Sequence, residues 1–450
     1  MQTYLFYDIE TTGLSECFDQ ILHFAAIRTD ADLKELQRYE LKVKLNPDNI
    51  PSPRAMITHR MRLSDIADGI SEYDAIKQIH QWVNQPGTIS LGYNTLDFDD
   101  TFLRFGFYRN LLSPYTHQFK NNCGRLDIYP MAVMFFLFKK NVIEWPEING
   151  KTSLKLEEIN AANKFVTGRS HHAMVDVEAT VALARCFKKE NTMWNHLTGY
   201  FNKQEDEKRT RALTGDTALM IRSKFGASQD YQRPVLFIGD RTHYRQSLWL
   251  QLDTEDLAKT TIENITDLKC ISHKKSGEPP FILPPRFLEQ LKPERLALAE
   301  ENKKWLKHSA AVYQKLVQYQ INYRYPSHPE ADADARLYLH DFWSFEEETI
   351  CRAFHAANPK EKSKIAEKIK NPQLQALAIR IIGRHFPENL TSEQAEKFKE
   401  HIKKENVIDH QGKNKLTAKK ALEEIAELRN QPGLDREQLS LLEELENYYI

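Results

Sequence analysis

Cysteine is scarce. The five residues among 450, Cys17, Cys123, Cys186, Cys270 and Cys351, are scattered without a Cys-x-x-Cys pair, which argues against a disulfide framework and a cysteine-based zinc site. A reducing cytoplasm is the expected compartment. No apolar run approaches the roughly 20 residues that cross a bilayer, and the strand-like Thr3-Tyr4-Leu5-Phe6-Tyr7 follows Met1 directly. Neither a membrane span nor a signal peptide is expected. Excess charge of one sign is missing too, since 62 Lys and Arg oppose 63 Asp and Glu. Any polyanionic partner must therefore be held by local clusters of cations. No internal repeat is visible, and no heptad pattern asks for an obligate dimer, so a monomer is expected.

What is present is core material. Hydrophobic residues make up 41% of the chain and charged residues 28%, as in a globular protein rather than a disordered one. A length of 450 residues exceeds one ordinary core and predicts two or three domains. The opening reads as three strands, Tyr4–Ile9, Leu22–Thr29 and Tyr39–Leu45. After the loop of Pro47, Pro51 and Pro53, helical spacing runs through Tyr73, Ile76, Ile79 and Val83 and stops before Pro86-Gly87. Thr88–Leu91 reads as a buried strand, and helical patterns follow at Phe98-Phe102-Phe105, Met131–Phe138, Leu154–Ala161 and Val177-Val181-Ala184. Strands followed by helices wrapped about a sheet imply a mixed α/β domain ending near Lys189. The charged run Glu205–Arg209 reads as a boundary loop. Short strands at Leu219–Ile221, Val235–Ile238 and Ser247–Leu252 then imply a small β-rich domain, with helix from Pro293 to Tyr323. From Leu337 onward the chain reads as all-α.

The acids carry the chemistry. Asp8 and Glu10 stand two apart on the first strand, so both carboxylates share a face, and Thr11-Thr12-Gly13 follows, where glycine allows a sharp turn beside a bound group. A second acid follows the buried strand, within Gly92-Tyr93-Asn94-Thr95-Leu96-Asp97-Phe98-Asp99-Asp100. Asp97, Asp99 and Asp100 compete for the role, and Asp99 fits best because it begins a helix. The third element is Ser170-His171-His172-Ala173-Met174-Val175-Asp176, at the entry to the helix carrying Val177 and Val181. Each alone is ordinary: an acid at a helix start offsets exposed amides, and a lone histidine is usually satisfied locally. Their conjunction and order are not.

That order resembles the DEDDh exonucleases, with a ribonuclease H-like fold, over about residues 3–190. Ala25-Ala26-Ile27-Arg28-Thr29-Asp30, Gly92-Tyr93-Asn94, Phe107-Tyr108-Arg109-Asn110, Ile143-Glu144-Trp145-Pro146-Glu147 and His171-x-Ala-Met-x-Asp176 are similar to bacterial exonuclease I within that superfamily, and Ala333-Asp334-Ala335-Arg336-Leu337-Tyr338 continues the likeness more faintly. The resemblance implies three domains: a ribonuclease H-like exonuclease domain at 1–190, an SH3-like β-rich domain at 195–330 and a helical domain at 335–450 that closes a clamp around single-stranded DNA. The sequence departs from the pattern in three places. Asn94 to Asp99 is one residue longer than in most of the superfamily, His172 stands where an acid or amide is usual, and Lys155 replaces an arginine, keeping a phosphate contact but not a bidentate one.

Four carboxylates beside a phosphodiester need cations. Magnesium, an oxygen-seeking ion that keeps several waters, is the expected cofactor, two ions in number, with manganese able to substitute. The resemblance implies that Asp8 bridges both ions, Glu10 and Asp176 complete one site, Asp99 holds the other, and His171 takes the proton from the attacking water. Glu10 and Thr11 are expected at the substrate, and Arg104, Tyr115, Arg125 and Lys155 along the strand's path. The implied activity is 3′→5′ hydrolysis of single-stranded DNA to 5′-mononucleotides in DNA repair and recombination. The implied partner is the acidic C-terminal tail of single-stranded-DNA-binding protein. An RNA-trimming exonuclease keeps the chemistry but is essentially the first domain alone; a non-catalytic binding scaffold would not need all five side chains.

Overall fold

Aromatic and aliphatic residues fill the first strand, β1 (Thr3–Thr11), and its neighbour β2 (Ile21–Thr29) is buried along its whole length, as befits a strand covered on both faces. With β3 (Glu35–Lys42), β4 (Thr88–Leu91) and β5 (Gly124–Arg125) they form a sheet of order β3-β2-β1-β4-β5. The first three strands are antiparallel, while β4 joins β1 and β5 joins β4 in parallel. This is the mixed sheet of a ribonuclease H-like fold. The period of two sends Leu5, Tyr7 and Ile9 into a core with Ile76, Ile79 and Val83 of the helix Glu72–Val83 and with Phe102, Leu103 and Phe107 of the helix Asp99–Arg109. Asp8 and Glu10 are left on the other face.

The computed structural model describes residues 2–168, 172–339 and 342–450. Its contacts group the chain into two units: Met1–Arg125 with Val166–Val181 and Pro326–Ile450, and Leu126–Phe165 with Ala182–Tyr325. In the first unit the C-terminal helices complete the N-terminal core. The helices Phe345–Ala356, Pro359–Lys368 and Pro372–His385 bury Phe354, Leu374, Leu377 and Ile381 against Tyr73, Phe105 and Tyr108. The last two, Ala418–Arg429 and Arg436–Tyr449, set Ile425, Leu428, Leu441, Leu442 and Leu445 against Leu22, Met56, Ile57 and Ile66. Each such leucine contributes about 2 kcal/mol by burial. Arg60 and Arg62 edge this seam, paired with Asp435, Glu437 and Glu444.

The second unit carries an antiparallel five-stranded sheet. Its strands are β6 (Thr217–Ile221), β7 (Gln232–Asp240), β8 (Ser247–Gln251), β9 (Ile271–Lys274) and β10 (Phe281–Leu283), in the order β9-β8-β7-β6-β10. The helices Pro293–His308 and Ala310–Asn322 follow.

Two readings of the sequence are corrected. The run Glu205–Arg209 is not a loop but part of the helix Lys203–Arg211. Asn202 caps it, Glu205 and Asp206 occupy its first turn and Lys208, Arg209 and Arg211 its last, the arrangement that complements the helix dipole. Asp206 is fully buried and pairs with Lys274. The third strand ends at Lys42 rather than Leu45. Beyond it the Val43 N–H still donates to Leu22 O of β2 at 2.8 Å, and Val43 forms an isolated bridge to Ile70 on its other side.

Candidate functional site

Three elements deliver carboxylates to one place. β1 supplies Asp8 and Glu10, and its register against β2 slips just after Glu10, turning the chain into Thr11-Thr12-Gly13. β4 runs beside β1 and ends at Leu91. Gly92 follows it so closely that an added Cβ would lie 2.4 Å from Tyr7 O. Asn94 then adopts a left-handed backbone, φ 66°, and the chain enters the helix Asp99–Arg109. Its first residue turns back onto β1: the Ile9 N–H, between the two strand acids, donates to Asp99 Oδ1 at 3.1 Å. Asp176, in the first turn of the helix Ala173–Lys188, closes the group. Oxygens of Asp8, Glu10 and Asp176 lie within 4.8 Å of one another.

Burial raises the Asp8 carboxyl well above the carboxylate range, and Asp99, Glu10 and Asp176 raise it further. Glu10 is raised likewise, by burial and then by Asp176 and Asp99. Such mutual repulsion is relieved either by protons or by a cation. The donors are all carboxylate oxygens, which fits a hard divalent ion rather than a soft one. The cluster thus meets the chemical requirements of a divalent-metal site.

The three candidate aspartates separate in space. Asp99 is buried at the cluster, whereas Asp97 is exposed. Asp100 points elsewhere, to His117 Nε2 at 2.8 Å, Arg125 Nη1 at 2.6 Å and Arg104 Nε at 3.2 Å. Burial alone would raise the Asp100 carboxyl, but Arg125, the His117 bond and Arg104 outweigh it and hold the group well below the usual range. Arg104 and Arg125 are therefore gathered around Asp100 rather than lining the cavity. Tyr115 packs edge-on to Phe342 at 5.7 Å, and Lys155 is exposed, 3.8 Å from Glu157, in the second unit. His171 lies outside the described residues. His172 is exposed, its ring edge-on to buried His23 at 5.3 Å.

The carboxylates sit in a cavity of about 810 Å³ that Thr11 also lines. Several of its other residues escaped the sequence reading. Asp19 accepts from Thr12 Oγ1 and from the Ser15 N–H, each at 2.8 Å, and so pins the turn after Glu10. His59 Nε2 lies 3.2 Å from Thr11 O, while the Met61 N–H donates to His59 Nδ1 at 3.2 Å. Arg54, Lys415, Lys420 and Glu424 also line the cavity, with Arg54 Nε 3.4 Å from Glu424. Asp19 recurs with no local motif, and Lys415 to Glu424 lie more than 200 residues from the last acid. Only the fold brings them together.

Comparison with known proteins agrees with this geometry. The family model described as "Exonuclease" matches residues 5–184, and that described as "Exonuclease I C-terminal domain" matches 331–450. Exodeoxyribonuclease I of Haemophilus influenzae is 30% identical over 48% of this chain and 46% of its own, so that alignment spans about half the relative's length. Exodeoxyribonuclease I of Escherichia coli is 25% identical over 89% of both chains. The crystal structure of E. coli exonuclease I in complex with a dA16 oligonucleotide superposes with a TM-score of 0.86 at 23% identity, covering 100% of this chain and 99% of that one. The fold is shared from end to end.

Proposed function

Because this chain belongs to the exonuclease I family, we propose that it is a 3′→5′ exodeoxyribonuclease that releases 5′-mononucleotides from single-stranded DNA. The observation that carries this reading is the convergence of Asp8, Glu10, Asp99 and Asp176 on one cavity of an exonuclease fold. Asp8, Glu10 and Asp176 would hold one magnesium ion, and Asp99 with Asp8 a second; manganese would serve in their place. When bound, the ions supply a polarised water and neutralise charge on the attacking and leaving oxygens. The chain's own residues do the rest. Ile9 fixes Asp99 through its N–H, and the pinned turn holds Thr11 beside the 3′ end. His171 takes the proton of the attacking water at a ring nitrogen.

Binding is the other half of the reading. Arg104 and Arg125 keep 14% and 13% of their side chains exposed, and with Tyr115 and Lys155 they are the proposed contacts along the strand's path. Residues 1–190, 195–330 and 335–450 would act as the three parts of a clamp on the strand. The reading extends to a monomer in the cytoplasm that serves DNA repair and accepts the acidic tail of single-stranded-DNA-binding protein. The test is a magnesium-dependent digestion of 5′-labelled single-stranded DNA, duplex DNA and RNA. Single-stranded DNA should shorten from its 3′ end, with EDTA stopping the reaction. Preferred cleavage of RNA, or fragments arising from internal cuts, would overturn the proposal.

A further inference from the structure

The helix Asp99–Arg109 holds a carboxylate of the cavity at one end and a buried guanidinium at the other. Its 11 residues, at about 1.5 Å each, set Asp99 and Arg109 about 15 Å apart. An arginine in a last turn ordinarily faces the carbonyls of its own helix. Here Asn110 takes that duty, its N–H and its Nδ2 both donating to Gly106 O, at 3.1 and 2.9 Å. Arg109, 4% exposed, reaches off the helix instead. Nη1 donates to Cys17 O at 2.6 Å and to Glu16 O at 3.2 Å, and Nη2 donates to Asp19 O at 2.8 Å and to Glu72 Oε1 at 3.2 Å. Three of those acceptors are main-chain oxygens of one segment, residues 16–19.

That segment is joined to the turn after Glu10 by two routes. The direct one runs through Asp19, whose carboxylate takes Thr12 Oγ1 and the Ser15 N–H. The other runs through Glu72, whose Oε2 accepts from Asn46 Nδ2 at 2.7 Å, while the Asn46 N–H donates to Gln20 Oε1 at 2.7 Å. The Gln20 N–H then donates to Thr12 Oγ1 at 3.0 Å, and the Thr12 N–H returns to Gln20 O at 3.0 Å. Both routes end on Thr12, which is fully buried. Thr11 before it and Leu14 just beyond it line the cavity with Asp8 and Glu10.

We propose that Arg109 is a positioning residue for the exonuclease reaction: it fixes residues 16–19 so that the turn carrying Thr11 holds the 3′-terminal nucleotide in register with the carboxylates. The inference rests on the exonuclease reading and deepens it. A guanidinium is a rigid fork, so several carbonyls bound to it are fixed in both distance and direction; an ammonium, a point charge with freely turning donors, fixes neither. Arg109 does not line the cavity. Its effect therefore belongs to the alignment of the reacting groups rather than to the grip on the strand, and a misplacement of about 1 Å costs about 10²-fold in rate.

The test compares Arg109→Lys, Thr12→Val and the two combined in the full chain, well below the melting transition of each. Arg109→Lys should lower kcat on single-stranded DNA by about 10²-fold. Its affinity for an oligothymidylate in calcium should stay at the parent's value, because the strand is held by contacts elsewhere. Thr12→Val cuts both routes at their end yet leaves Asp19 on the Ser15 N–H, and should lower kcat by about 10-fold. The two changes act on one turn, so the double variant should lose no more than Arg109→Lys alone, where independent effects would multiply to about 10³-fold. A merely structural arginine would lower the melting temperature and leave the kcat of the folded protein at the parent's value. That result overturns the proposal, as does full multiplication in the double variant or a loss confined to binding. Should Arg109→Lys not fold, Glu72→Gln takes its place in the same cycle; it keeps the shape of the carboxylate, removes the charge that holds the fork, and should lower kcat by about 10-fold without adding to Thr12→Val. If the parent chain cuts single strands and the variants cut them equally fast, the exonuclease reading stands and only the role of Arg109 falls. A parent chain that does not cut them overturns both.

Discussion

Replacing Asp8 by Asn should make the metal-free protein more stable, not less. The Asp8 carboxyl is raised well above its ordinary 3.8 by burial and by Asp99, Glu10 and Asp176. A carboxyl raised in this way leaves the folded state at full stability only below about 3.8; as pH climbs, the unfolded chain gives up its proton first and stability falls until the folded group ionises too. At pH 7 the loss is bounded by about 1.4 kcal/mol per unit between 3.8 and 7, or about 4 kcal/mol. Solvent reaches Asp8 through the cavity, so about half of that, about 2 kcal/mol, is expected. Asn removes the charge at nearly the same volume. In EDTA at pH 7 the variant should therefore melt higher by about 5 °C, given about 2–4 °C per kcal/mol, and near pH 3.5, below the ordinary value, the gap should almost vanish. Circular dichroism melts at the two pH values measure it. Added magnesium should then stabilise the parent chain by mass action and the variant hardly at all. Equal melting temperatures at pH 7, a lower one for the variant, or a gap independent of pH would refute the argument.

Three other outcomes follow from the site and its supports. His171→Ala should lower turnover by roughly 10²–10⁴-fold if it is the general base, and His172→Ala much less; a reversed ranking in steady-state assays would reassign the base. In Gly13→Ala the new Cβ would lie 2.4 Å from Asp19 Oδ2, so the pin on the turn must shift, at a cost of about 1–3 kcal/mol. Thermal melts and digestion rates should both register it. Leu442→Ala, at a fully buried position in the seam, should cost about 2–5 kcal/mol in urea unfolding.

The elements easiest to read from sequence were those whose signal is local. The period of two at Asp8 and Glu10, the helical spacing from Tyr73 to Val83 and the helix start at Asp99 each rest on neighbours a few residues away. Glu205–Arg209 misled because its polarity looked like a linker, while the feature that fixes it, Asp206 buried on Lys274, comes from a strand 68 residues on. β9 and β10 went unnamed for a related reason: at four and three residues they are too short to show a period. Asp19, His59 and the wall formed by Lys415 to Glu424 carry no local signal at all.

The first unit is discontinuous in sequence, and that has a bearing on how it is made. The helices Ala418–Arg429 and Arg436–Tyr449 bury Met56, Ile57 and Ile66, and Lys420 and Glu424 form part of the cavity wall. A chain growing on a ribosome completes its last acid at Asp176, yet the wall opposite is not made until residue 424. At about 5–20 residues per second, the interval is roughly 12–50 s. During it the sheet waits with an apolar flank uncovered, a natural hold point for a chaperone. An interrupted synthesis would leave the acids without their enclosing wall, so the cavity is completed only once residue 424 has been made.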